Sequence, residues 1–207
     1  MRNVTGRNTS RVALLAVATL LGACGGDDDS AGDGTSDEAS RASDANGEAG
    51  VDAGGLDGSP IEPVAGTDIC SRLATDDVGT ALGLEVTAAQ PYDTSTPQCA
   101  YTYDSASGAA SNVTVASMRT DGDLGGRTGD EAFDYVVEVN RGVAGGTDFT
   151  EDDLDVGDRA VRFTGDALHL GILATGGHLL TVIVPTGDTD PAAVDQLIGT
   201  MADTFAG

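Results

Sequence analysis

From Val12 to Leu21 the chain is apolar apart from Thr19, from Gly25 to Gly66 large side chains nearly vanish, and beyond Thr67 apolar residues return at regular spacing. The spacing predicts elements. Asp68-Ile-Cys-Ser-Arg-Leu73 leads into Thr75–Gly83, where Ile69, Leu73, Val78 and Leu82 form an apolar side. Thr75 is the expected N-cap and Gly83 the closing residue. Residues 98 to 104 alternate, with Cys99, Tyr101 and Tyr103 on one face, and Val113 and Val115 mark another strand. Thr128-Gly-Asp-Glu131 has the form of a capping box, and Phe133, Val136, Val137 and Asn140 follow at helical spacing before Gly142. After an acidic loop come strands at Ala160–Thr164, Ala167–Thr175 and His178–Val184, the last two joined by a tight Gly176-Gly177 turn. Asp190 caps a final helix with Pro191 at its first position and Val194, Leu197, Ile198, Met201 and Phe205 on one face. Helix, strands, helix, strands, helix predicts a single α+β domain over 67–207, an antiparallel β-sheet with helices packed against it.

The amino-terminal run is too short for a membrane span, which takes about 20 apolar residues. Arg2, Arg7 and Arg11 precede it without an acid, the pattern of a secretory signal peptide over 1–23. Leu21-Gly22-Ala23 followed by Cys24 resembles the lipobox of bacterial lipoproteins. That resemblance implies diacylglycerol on the Cys24 thiol, cleavage before Cys24, and acylation of the new amino terminus. An ordinary signal peptide or an uncleaved anchor that contains a cysteine is the alternative. Two or more acyl chains hold a protein stably on a membrane where one holds it marginally, so this anchor needs no transmembrane helix.

Residues 24 to 66 are dominated by Gly, Asp, Ser, Ala and Glu and lack aromatic residues, so the apolar surface available cannot offset ordering entropy. We read them as a disordered tether spanning roughly 35 Å as a Gly-rich coil, further extended by charge repulsion. Its acids would alternatively bind cations or a basic partner. From Thr67 onward 23 carboxylates stand against six arginines and no lysine, a net charge near −17 within the −24 of the whole chain. Such a surface repels phosphate backbones, which excludes nucleic acid as the expected partner. It would suit a salt-rich exterior, and a genome poor in lysine codons would give the same composition.

With Cys24 assigned to the anchor, Cys70 and Cys99 remain. In an oxidising compartment they are expected to form a structural disulfide that pins the first helix to the sheet. The loop closed between them holds no His, which disfavours a metal site, and the spacing is not Cys-x-x-Cys.

Several of these features together resemble an actinobacterial cell-envelope lipoprotein family of unknown function. They are Cys24, the Asp68-Ile-Cys70-Ser-Arg-Leu73 opening with its helix ending at Leu82-Gly83, Cys99-Ala-Tyr101, and Gly157-Asp-Arg-Ala160 before two hydrophobic strands and a last helix. This chain has Tyr101, and no Trp at all, where the family pattern places Trp close after the second cysteine. A looser similarity connects it to extracellular sensor domains of actinobacterial receptor kinases. The family resemblance implies an extracytoplasmic, lipid-anchored location and brings no assigned reaction.

The chain carries no Gly-x-Ser-x-Gly elbow, Walker loop, dinucleotide fingerprint or His-Glu-x-x-His, so no cofactor and no catalytic residue are expected. If the hairpin turns at Gly176-Gly177, Thr175 faces His178 and Val184 faces His169. The two imidazoles then share a face roughly 20 Å apart and cannot ligate one metal. In the stretch Asp148–Asp158, Asp152, Asp153, Asp155 and Asp158 are weak candidates for a calcium ion, without EF-hand spacing, and a solvated acidic loop is the expected state. The functional expectation is a membrane-anchored lipoprotein with a non-enzymatic domain for a small hydrophobic ligand or an envelope protein. The alternative is an extracytoplasmic hydrolase with a carboxylate site around Asp152–Asp158.

Overall fold

Alternation at Cys99, Tyr101 and Tyr103 places all three side chains, buried, on one face of β2 (Gln98–Asp104). β2 lies in a seven-stranded sheet in a computed structural model that describes residues 58, 60–93, 95–120, 122–144 and 149–207, without the side chains of 142–144. The expected signal segment, Cys24 and the tether up to residue 57 lie outside the described residues. Among the described residues no helix is long and apolar enough to cross a membrane.

The chain opens with α1 (Gly66–Arg72) and α2 (Thr75–Leu82), then forms β1 (Val86–Tyr92), β2 and β3 (Ala110–Ser117). After α3 (Gly129–Ala144) come β4 (Thr150–Leu154), β5 (Arg159–Thr164), β6 (Leu168–Thr175) and β7 (His178–Pro185), and α4 (Pro191–Phe205) closes the fold. Every pairing is antiparallel, in the order β1-β2-β3-β7-β6-β5-β4. The α+β class with a disulfide is as expected, and so is the β6–β7 register, with Thr175 opposite His178 and His169 opposite Val184. Gly176 and Gly177, at φ +55° and +77°, make the turn, and a Cβ on Gly176 would lie 2.4 Å from the Phe205 carbonyl oxygen.

Two cores flank the sheet. Tyr101, Val113, Val115, Leu180 and Val182 pack under α1, α2 and α4, with Val194, Leu197, Ile198, Met201 and Phe205 buried as the last helix's periodicity requires. On the other face Val161, Phe163, Leu170 and Ile172 pack under Ala132, Phe133, Val136 and Val137 of α3, and Leu124 closes one end. The Asp190 carboxylate caps α4 by accepting from Ala193 N–H at 2.9 Å. At α2 the N-cap is Ala74 rather than Thr75, because Asp77 reaches back to accept from the Ala74 N–H at 3.2 Å.

The Cys70–Cys99 disulfide joins α1 to β2, with Cα atoms 5.4 Å apart. The Tyr101 hydroxyl reinforces it by donating to the Leu73 carbonyl at 2.8 Å. Burial raises the Tyr101 pKa, as does the nearby Asp77 charge, so the phenol stays protonated and a donor.

Ordered packing begins earlier than the expected boundary at Thr67. Ile61 enters the α3 core and Val64 the opposite core, so residues 60–66 cross from one face of the sheet to the other. Thr120 Oγ1 donates to the Ile61 carbonyl, Glu62 N–H to the Gly177 carbonyl, and Val64 N–H to Ser117 Oγ. Two isolated aliphatic residues in an acidic, Gly-rich run give no periodic signal, which is why composition alone assigned them to the tether.

Candidate functional site

The acidic stretch is not a loop. Residues 150–154 form the edge strand β4, and strand alternation sends its carboxylates to opposite faces. Asp152 lies opposite Arg162 and accepts from its Nη2 at 2.6 Å, while Asp153 lies opposite Val161 on the other face. Glu151 pairs with Arg141 of α3 at 2.8 Å, and that hydrogen bond holds its carboxyl below the usual range. Asp155 and Asp158 follow the strand, with the Asp158 N–H bonded to the Ala174 carbonyl. Among the described residues no group of three or more His, Cys, Asp or Glu side chains is placed to hold a metal ion. Carboxylates on an edge strand discourage pairing with another chain, and β1 meets the same need with a bulge and Pro91.

Arg162 is almost buried and ties two elements to β5: its Nη1 donates to Asp195 of α4 and to the Pro191 carbonyl, and its Nη2 to Asp152. Its Nε has no protein partner. Both other guanidinium nitrogens are spent on carboxylates, so the cluster is anionic overall and has no attraction for an anionic ligand.

The histidines do separate jobs. His169 is buried on the α4 side, and its Nε2–H donates to the Thr189 carbonyl at 3.4 Å, leaving Nδ1 to accept from Thr164 Oγ1 at 3.2 Å. Burial lowers its pKa. His178 donates from Nδ1 to the Glu62 carbonyl at 2.7 Å and so holds the amino-terminal crossing. Both are satisfied structural residues at opposite ends of β6 and β7.

An open groove of about 430 Å³ runs between α2 and the start of β1, lined by Thr75, Asp76, Gly79, Thr80, Leu84, Glu85 and Val86. It has hydroxyls and two carboxylates but no imidazole, thiol or cationic group, and it is too polar to hold an apolar ligand.

The feature that sequence reasoning missed is the outer face of β1, β2 and β3. One row of paired residues crosses the whole sheet: Glu151, Phe163, Leu170, Ile183, Thr114, Ala100, Gln90. Phe163 and Leu170 are buried beneath α3, and at Ile183, 38% exposed, the cover ends. From there to β1 the face carries Ala, Thr, Asn and Gln, with Tyr92 at its edge and no charge until Asp104 at a strand end. Thr102 and Asn112 hydrogen-bond across it at 2.8 Å.

Helix α3 forms the wall of this face. Its Asp130 and Asp134 are held by Arg159 at 3.0 and 2.9 Å, and its Arg141 by Glu151, all on the flank toward β4 and β5. At about 100° per residue, Val139 sits about 160° around the helix from Arg141, on the flank toward β7. Arg141 reaches the head of the row that contains Ile183, so Val139, 49% exposed, overhangs that row. Tyr92, Val139 and Ile183 are the exposed large apolar residues among those described, and they share this one trough. The alternation in β2 and β3 marks these positions as the outer face; the grouping with Val139 requires knowing on which face α3 lies.

Comparison with family models, with curated proteins and with solved structures finds no match for this chain.

Proposed function

We propose that the chain is a membrane-anchored lipoprotein of the cell envelope whose extracytoplasmic α+β domain binds a protein partner and performs no catalysis. The observation that carries this reading is the trough. On a domain with a net charge near −17, a charge-free sheet face framed by Tyr92, Val139 and Ile183 has the composition of an interface core, depleted in charge with apolar anchors at its margin. The anchor rests on the lipobox-like Leu21-Gly22-Ala23-Cys24 and on the basic, apolar segment before it. Nothing favours the carboxylate hydrolase, whose residues are engaged by Arg162 and Arg141 or point to opposite faces.

Two measurements test the two halves. Cell fractionation should find the wild-type chain in membranes and the Cys24→Ser variant released from them; retention of the variant would remove the anchor. A photoactivatable side chain at Thr114, in the floor of the trough, should give a discrete protein adduct in intact membranes. The same group at exposed Asp203, on the helix that covers the other face, should not. Equal labelling at both positions, or none at Thr114, would overturn the binding face.

A further inference from the structure

We infer that the protein seated on the trough is a second copy of this chain, its own trough packed face to face with the first. The inference rests on the reading of the trough as an interface and adds the identity of the occupant, which charge decides. A basic partner would be drawn to the carboxylates of α2, β4 and the outer side of α3, and would have no reason to settle on the one broad face that lacks them. A face without charge on a strongly anionic domain fits a partner whose carboxylates must be kept away, and another copy is anionic by the same amount. Such a face is also self-complementary, as a two-fold interface demands: Tyr92 and Ile183 can each meet the Ala and Thr floor of the other copy.

Two sheets packed face to face lie about 10 Å apart. The remaining carboxylates of the two copies then stand mostly beyond the screening length of about 8 Å at physiological salt, so repulsion opposes the pairing only weakly. Anchoring both copies to one membrane would raise their effective concentration and make a modest face sufficient. Electrostatics then gives the pairing a sign: it strengthens as salt rises, whereas attraction of a cationic partner weakens.

The test uses the full chain in membranes, expressed as two differently tagged forms that each carry Thr114→Cys. They are treated with a bis-maleimide whose reach matches the about 10 Å between packed sheets. The expected result is a cross-linked species containing both tags, with a yield several-fold above that of Asp203→Cys and rising between about 0.05 M and about 0.5 M salt. Ile183→Asp should reduce the yield several-fold, and so should Val139→Glu, on an exposed helix position where folding is not at stake. An adduct at Thr114→Cys that lacks the second tag would overturn the second copy and leave the proposed binding face standing. No adduct at Thr114→Cys would remove both. Two-tag adducts of equal yield at Thr114→Cys and Asp203→Cys, or a yield that falls with salt, would overturn the pairing.

Discussion

Ile198 of α4 packs directly onto Gly171 of β6: a Cβ at Gly171 would lie 2.6 Å from Ile198 Cδ1 and 2.8 Å from Val182 Cγ1. The absence of a side chain is what lets α4 approach the sheet there, with Ile198 fully buried. Gly171→Ala should therefore overpack this core and cost about 1–3 kcal/mol. The reading is a lower urea midpoint with an unchanged m-value. An unchanged midpoint would mean that α4 yields without loss and that the close approach is not a constraint.

The Cys70–Cys99 bond closes a loop of residues 70 to 99, with a sequence separation of 29. Chain entropy alone gives about 3.6 kcal/mol for such a loop. The double change Cys70→Ala/Cys99→Ala should lower stability by about 2–4 kcal/mol. The Tyr101 hydroxyl still holds the end of α1 on β2 in that variant, so the fold should survive. A loss under about 1 kcal/mol would show that the reduced chain is already restrained there.

Much of the domain was readable from the sequence because burial in it follows period. Cys99, Tyr101 and Tyr103 alternate, the final helix repeats at three and four, and Gly176-Gly177 sets the register that places His169 and His178. The unread parts lack a period. In β4, Thr150-Glu-Asp-Asp-Leu154 is an edge strand with no buried residue, so its charges read as a loop. In β1, Val86–Tyr92 lies at the other edge and carries Pro91, a residue that argues against a strand wherever its N–H is needed. The trough failed for a different reason. An amphipathic pattern shows that α3 has a buried side but not which face of the sheet it covers, and the meeting of Val139 with Ile183 depends on that choice.

Arg162 makes the balance of its cluster asymmetric. The guanidinium is nearly buried, while the side chains of Asp152 and Asp195 are 50% and 37% exposed. Removing the buried charge leaves two carboxylates that water can solvate; removing the carboxylates leaves a buried cation that water cannot. Asp152→Asn/Asp195→Asn should therefore cost about 3–5 kcal/mol, and Arg162→Met, which keeps the aliphatic stem, about 1–2 kcal/mol. Chemical denaturation of the two variants side by side decides it. The reverse order would mean that the carboxylates' mutual repulsion, and not burial of Arg162, dominates the cluster.

His169 gives the fold a pH dependence whose direction follows from its surroundings. Burial lowers its pKa below the ordinary 6.5, and Arg162 on β5 lowers it further. The Thr189 carbonyl, Asp190 and Asp195 oppose that shift without reversing it. A depressed folded value means that the unfolded chain binds more protons in the window between the two values, so stability rises with pH across that window. Above about pH 6.5 the imidazole is neutral in both states and this contribution is flat; as pH falls below it, stability is lost. His169→Gln retains a side-chain donor and acceptor but does not titrate. Wild type should therefore lose more stability than the variant between about pH 7.5 and about pH 5.5, when each is referred to its own value at the upper end. Glu151, held low by Arg141, contributes below this range and equally to both proteins. Parallel profiles would show that the fold accepts a proton on His169 as readily as the open chain does, and that Asp190 and Asp195 outweigh burial at this position.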